Sequence, residues 1–175
     1  MHFAVESIYD DKSVKEYDVS FIATMTNQRR KIFVDYINHL AKNELKNLKW
    51  FIEVSARDTR TPNKFKEVIN KTKIGLHYYG NSYDSLRIWE MASCKTAILM
   101  PKMKNLSVSK GHMEFNEYEI FKEDFSDLSD KITSLLENNK YNVLAAASQE
   151  SYNTSHNPLK CFDYYLNIVK KHKLI

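Results

Sequence analysis

The stretch from Ile74 to Ile98 constrains this chain more than any other. It runs from a β-rich apolar segment, Ile74 to Tyr78, through a polar loop to a helix start near Asp84 or Ser85, and then into a second apolar segment, Thr96 to Met100. Two short strands joined through one helix are a crossover unit, so the strands run parallel and the helix covers one face of the sheet. The same alternation recurs along the chain. Tyr17 to Ala23 reads as the first strand, and Thr26 or Asn27 can cap a helix with Phe33, Ile37, Leu40 and Ala41 at helical spacing. Trp50 to Val54 reads as the second strand, and Pro62 opens a short helix with Phe65, Val68 and Ile69 inward. Tyr118 to Phe121 reads as a short fifth strand.

Further helices follow. One is capped by Ser126, with Leu128, Ile132, Leu135 and Leu136 on one face; a second covers Tyr141 to Tyr152; a third starts at Asn157-Pro158. The expected fold class is therefore α/β, one doubly wound domain with a mainly parallel sheet of about five strands. Its ligand crevice is expected at the carboxyl ends of those strands. Residues 1–16 read as a lead-in, with Asp10-Asp11-Lys12-Ser13 too polar for a core element, and 17–175 as the domain.

Composition narrows the classes. A chain of 175 residues with 43% hydrophobic and 27% charged residues can bury one core. The longest apolar runs are far too short to span a bilayer, and no signal-peptide pattern opens the chain, so no transmembrane segment and a cytoplasmic address are expected. With 26 Lys+Arg against 22 Asp+Glu and no long one-sided run, a local phosphate pocket fits better than a nucleic-acid surface. Cys94 and Cys161 lack metal-type pairing and are read as buried free thiols. The only glycines, Gly75, Gly80 and Gly111, supply neither a Gly-x-Gly-x-x-Gly fingerprint nor a Walker loop, which argues against dinucleotide-dependent dehydrogenases and P-loop NTPases. No cofactor and no metal site are expected.

Candidate ligand residues cluster where the crevice should lie. The helix beginning near Ser85 offers unpaired amides and a positive dipole end, and Arg87 adds a planar fork suited to a diphosphate. The competing reading of Arg87 is a surface arginine paired with Asp84. Glu90, one turn further in, could accept vicinal ribose hydroxyls or be a solvated helix carboxylate. Arg29 and Arg30 follow the first strand, and Arg29 is the favoured anion ligand of the two. Arg57 and Arg60, with Thr59 and Thr61, occupy the loop after the second strand. His77 ends the third strand as a donor contact or a structural histidine. Tyr78, Tyr79 and Tyr83 could stack on a base or sugar, and His112 is a further loop candidate.

These segments, in this order and spacing, resemble the C-terminal, donor-binding domain of GT-B glycosyltransferases, in particular the group-1-like family typified by CgeB-type spore maturation proteins. The resemblance rests on Tyr17 to Ala23 followed by Arg29, on Lys73 to His77, and on Ser85 to Cys94, which is similar to the family's Ser-x-Arg-x-Phe-Glu-x-x-Ala-Cys-Gly segment. Phe121 to Lys131 and His156 resemble its closing section. The family's glycine after the Glu-containing helix is Lys95 here, and Ser82 stands where the first glutamate of the retaining Glu-x7-Glu pair would be. The resemblance implies a domain that binds a nucleoside-diphosphate sugar and holds its diphosphate leaving group without a metal. It also implies a complementary acceptor-binding N-terminal half, which Met1 to Ser7 would adjoin, or an oligomer that builds the second wall. The rival function is a non-catalytic nucleotide-binding or protein-interaction module with the same fold. A receiver-like signalling domain is disfavoured, because Thr24-Met25-Thr26 and His77-Tyr78 lack its acidic residues.

Overall fold

The computed structural model describes residues 6–55, 62–80, 86–102 and 118–172. Five strands, β1 (Tyr17–Thr24), β2 (Trp50–Ser55), β3 (Thr72–Leu76), β4 (Ala97–Pro101) and β5 (Glu119–Phe121), form one sheet in the order β2-β1-β3-β4-β5. Every pairing is parallel: Val19 opposes Trp50 and Ile74, Gly75 opposes Ile98, and Met100 opposes Ile120. The expected α/β doubly wound architecture is borne out. The strand order reverses between β1 and β3, the switch point where such sheets leave a crevice.

Helices α1 (Gln28–Lys42), α2 (Pro62–Asn70), α3 (Leu86–Ser93), α4 (Leu128–Leu136), α5 (Tyr141–Ser151) and α6 (Pro158–Lys171) complete the fold. On one face, α1 and α4 bury Phe33, Ile37, Leu40, Leu128 and Ile132 against Val19, Phe21, Ile74 and Leu76. On the other, α2 and α3 bury Phe65, Ile69, Ile88, Trp89 and Met91 against Ile22, Ile98 and Met100. Successive strand residues supply the two layers alternately because a strand's side chains alternate between faces.

Local chemistry explains the boundaries. Asn27 is the N-cap of α1, its side-chain oxygen accepting the Arg30 amide at 2.9 Å. Asn157 caps α6 in the same way, with Pro158 in the first turn. The end of α3 is a Schellman motif, in which the Thr96 amide bonds to the Met91 carbonyl and the Lys95 amide to the Ala92 carbonyl. Lys95, where the resembled family has glycine, adopts the left-handed φ of 52° that this motif demands.

One expectation needs correction. Ser126 does not cap α4: Asp127 holds the N-cap position and makes no side-chain cap bond, because its carboxylate accepts the Lys122 amide at 2.8 Å to close the preceding turn. Leu86 is 44% exposed, while Ile88, Trp89, Met91 and Ala92 carry the buried face of α3. α6 buries only Cys161 and turns Leu159 and Phe162 outward. Cys94 and Cys161 are buried free thiols, as expected, and burial pushes the Cys94 thiol up to about 12. No helix among the described residues is long and apolar enough to cross a membrane.

Candidate functional site

The carboxyl edge of the sheet is organised by a buried arginine. Arg30 lies on the same helical stripe as Phe33, Val34 and Ile37, so α1 carries it inward, and it is 9% exposed. Its guanidinium donates to the Thr24 carbonyl at the end of β1 (2.6 Å) and to the Tyr78 carbonyl after β3 (2.7 Å), bridging the switch point. The Asn27 amide adds a bond to the Gly80 carbonyl at 2.9 Å. Gly80 is required by this approach, since a Cβ there would lie 2.8 Å from Nη2 of an arginine already held by two carbonyls. Of the adjacent pair, Arg30 is buried and braces the switch point, while Arg29, the favoured anion ligand, is exposed at the same end of α1.

On leaving β3 the chain aims adjacent residues at opposite faces. Gly75 and His77 face α3, where a Cβ on Gly75 would meet the Met91 sulfur, and Leu76 and Tyr78 face α1. His77 is 6% exposed, and its Nε2 has no hydrogen-bond partner among the described residues. Burial, with the Arg30 and Arg87 charges nearby, drives its pKa from 6.5 to about 3, so the ring is neutral at physiological pH. Arg87, in the first turn of α3, lies with its guanidinium 3.8 Å from the centre of the Phe65 ring and Nη1 3.2 Å from Glu90 Oε2. Both side chains of the pair are about one quarter exposed. The expected phosphate fork and ribose carboxylate are thus brought together as a pair, and the alternative partner Asp84 lies outside the described residues. The arginine is pre-oriented by an aromatic face and a carboxylate.

The other face ends in a separate cleft of about 550 Å³. Its floor is aromatic: Tyr78 and Tyr79 stack at 4.5 Å, Tyr78 stacks on Phe33 at 4.5 Å, and Phe125 meets Tyr36 and Phe33 at 5.3 Å each. Arg29 and Ile32 line it from α1, and Glu123 and Asp124 from the turn after β5. Arg29 is therefore separated from Arg87, Glu90 and His77 by the sheet edge. Sequence reasoning missed this cleft, although the Glu123-Asp124-Phe125 turn and the inward register of Arg30 with Phe33 were both visible in the sequence. Ser85, Tyr83, Arg57, Arg60 and His112 lie outside the described residues. Among the described residues, no group of His, Cys, Asp or Glu is arranged to hold a metal ion.

No family model and no curated protein matches the chain. Solved structures do match its fold. The structure of TarM from S. aureus superposes with a TM-score of 0.63 at 17% identity, over 94% of this chain and 38% of that one. The GtfA/B complex gives 0.68 at 9% identity, over 97% of this chain and 39% of that one. The pneumococcal O-GlcNAc transferase GtfA, solved with UDP and GlcNAc, gives 0.60 at 11% identity, over 96% and 38%. The chain spans less than two fifths of the length of these neighbours. Its fold matches the Rossmann-like half of GT-B glycosyltransferases.

Proposed function

We propose that this chain is a donor-binding half of a GT-B glycosyltransferase of the CgeB-like, group-1-like kind, and that it binds a nucleoside-diphosphate sugar at the start of α3. The observation that carries the reading is the Arg87–Glu90 pair in the first turns of α3, with Arg87 over the Phe65 ring of α2, beside a buried neutral His77. A diphosphate would take the Arg87 fork and the helix dipole. It would loosen the Arg87–Glu90 pair, and Glu90 would then accept the ribose hydroxyls. His77 can donate or accept one hydrogen bond without becoming charged, which suits a neutral hydroxyl or carbonyl of the donor. Ser85, Tyr83 and Arg57 complete the proposed site. The fold likeness to a UDP-bound transferase supports the nucleotide class.

In a transfer reaction the task of this half is to hold negative charge as the anomeric carbon–oxygen bond to the diphosphate breaks. An acceptor aligned with the anomeric carbon, and a base for its proton, would come from a complementary N-terminal half or an oligomer. Residues 17–175 form the binding domain in this reading, 1–16 its lead-in, and a cytoplasmic address belongs to it. Calorimetric titration against UDP, GDP and their sugar conjugates tests it. Binding is expected below millimolar concentration, and absence of heat and of thermal stabilisation with every nucleotide would overturn it.

A further inference from the structure

The cleft on the α1/α4 face has no part in the diphosphate site. Among the described residues its rim carries one cation, Arg29, and two carboxylates, Glu123 and Asp124, a balance that does not favour a dianionic group. Backbone and side-chain hydrogen bonds from Ser126 hold the Asp124 carboxyl below its ordinary range, which keeps it ionised and accepting. The floor is apolar and rigid. Phe125 is held at a left-handed φ of 64°, strained for a bulky side chain, by the bond from its amide to the Lys122 carbonyl and by the Tyr36 hydroxyl donating to its own carbonyl at 3.0 Å. Ile32 extends the apolar wall at the rim, 53% exposed.

An aromatic floor ringed by a hydrogen-bond donor and carboxylate acceptors, one of them held by Ser126, is chemistry for a neutral polyol. Ring C–H groups can pack on the aromatic and Ile32 surfaces while vicinal hydroxyls donate to Glu123 and Asp124 and accept from Arg29. The volume suits one or two sugar rings. We propose that this cleft binds an uncharged saccharide. Tyr78 of this cleft and His77 of the diphosphate site are adjacent residues at the exit of β3, so the cleft lies at the same edge of the sheet as the proposed donor site without being part of it. Saccharide binding here does not rest on the donor reading.

The test is an amide-resolved NMR titration of the chain with maltotriose, cellotriose and chitotriose, repeated on Glu123→Gln and Ile32→Asp. Both substitutions change surface-lining side chains outside the proposed diphosphate site. At least one trisaccharide should give saturable shifts at Arg29, Tyr79 and Glu123 to Phe125. Each variant should weaken that binding at least about fivefold, the scale of one lost hydrogen bond, with UDP affinity unaltered. No saturable shift with any of the three at tens of millimolar, or shifts that survive both substitutions, would overturn the proposal. UDP binding in the α1/α4 cleft would do the same. Saccharide binding without any UDP binding would leave this cleft standing and remove the donor reading alone.

Discussion

The two faces of the sheet end in different chemistry at the same edge. On the α2/α3 face a guanidinium is clamped between Phe65 and Glu90 beside a buried neutral histidine. On the α1/α4 face, stacked aromatic rings form a floor under a rim of mixed charge. One strand exit feeds both, since His77 and Tyr78 point in opposite directions from β3. One arginine, Arg30, fixes that exit by holding the Tyr78 carbonyl to the end of β1. A single backbone position can therefore serve two recognition surfaces when the sheet, rather than a loop, sets its side-chain directions.

The most disruptive way to break this comparison is to remove the shared support. Arg30→Ala deletes two charged hydrogen bonds and leaves two carbonyls at the switch point without them, so denaturant unfolding should show a loss on the order of 3 kcal/mol or more. Arg30→Lys should recover little of it, because an ammonium cannot reach both carbonyls as a planar fork does. Stability of the alanine variant within about 0.5 kcal/mol of the parent would mean that Arg30 is not the support.

Arg87→Ala should separate the faces. UDP affinity is expected to fall by about 1.5 to 3 kcal/mol, roughly 10- to 100-fold by calorimetry. Stability should drop by only about 1 kcal/mol, the combined scale of a partly exposed ion pair and a cation–π contact. Unchanged UDP affinity in a folded variant would move the anion site elsewhere.

His77 sharpens the contrast through pH. Its native pKa of about 3 lies below its ordinary 6.5, so between those values the unfolded chain binds the extra proton. The stability that comes from burying the ring neutral is complete above pH 6.5 and is lost as pH falls towards 3. Going from pH 7.5 to 5 should cost about 2 kcal/mol from this group. His77→Gln should be less stable at pH 7.5, yet its unfolding free energy should fall less steeply with acid. Parallel pH profiles for the two proteins would refute the burial argument.

The smallest effect is at Lys95, which holds a left-handed turn that glycine adopts without penalty. Lys95→Gly should raise stability by roughly 0.5 to 1 kcal/mol in thermal unfolding and leave both clefts alone.

How much of this was legible in the sequence follows from how local each cause is. The strands, the Asn27 and Asn157 caps and the inward stripes of α1 and α4 depend on neighbouring residues, and the expected fold was borne out. The structural role of Arg30 was readable from its register with Phe33 and Val34, which sends it inward and leaves Arg29 exposed. Ser126 was a reasonable cap by residue type, but Asp127 is drawn back to Lys122 by a turn whose shape depends on Phe125 packing against α1. The Arg87–Glu90 pair was available from its i,i+3 spacing, whereas its stacking on Phe65 of α2 needed the tertiary structure. The aromatic cleft joins residues from α1, the exit of β3 and the turn after β5, three segments that no spacing connects.

In the donor reading the nucleotide sits on the α2/α3 side of the switch point, and an amide-resolved NMR titration of the chain with UDP reads this out. Saturable shifts are expected at His77 and from Leu86 to Glu90, with the amides of Tyr36 and Glu123 to Phe125 little changed. Shifts confined to the α1/α4 cleft, or none at millimolar UDP, would contradict it.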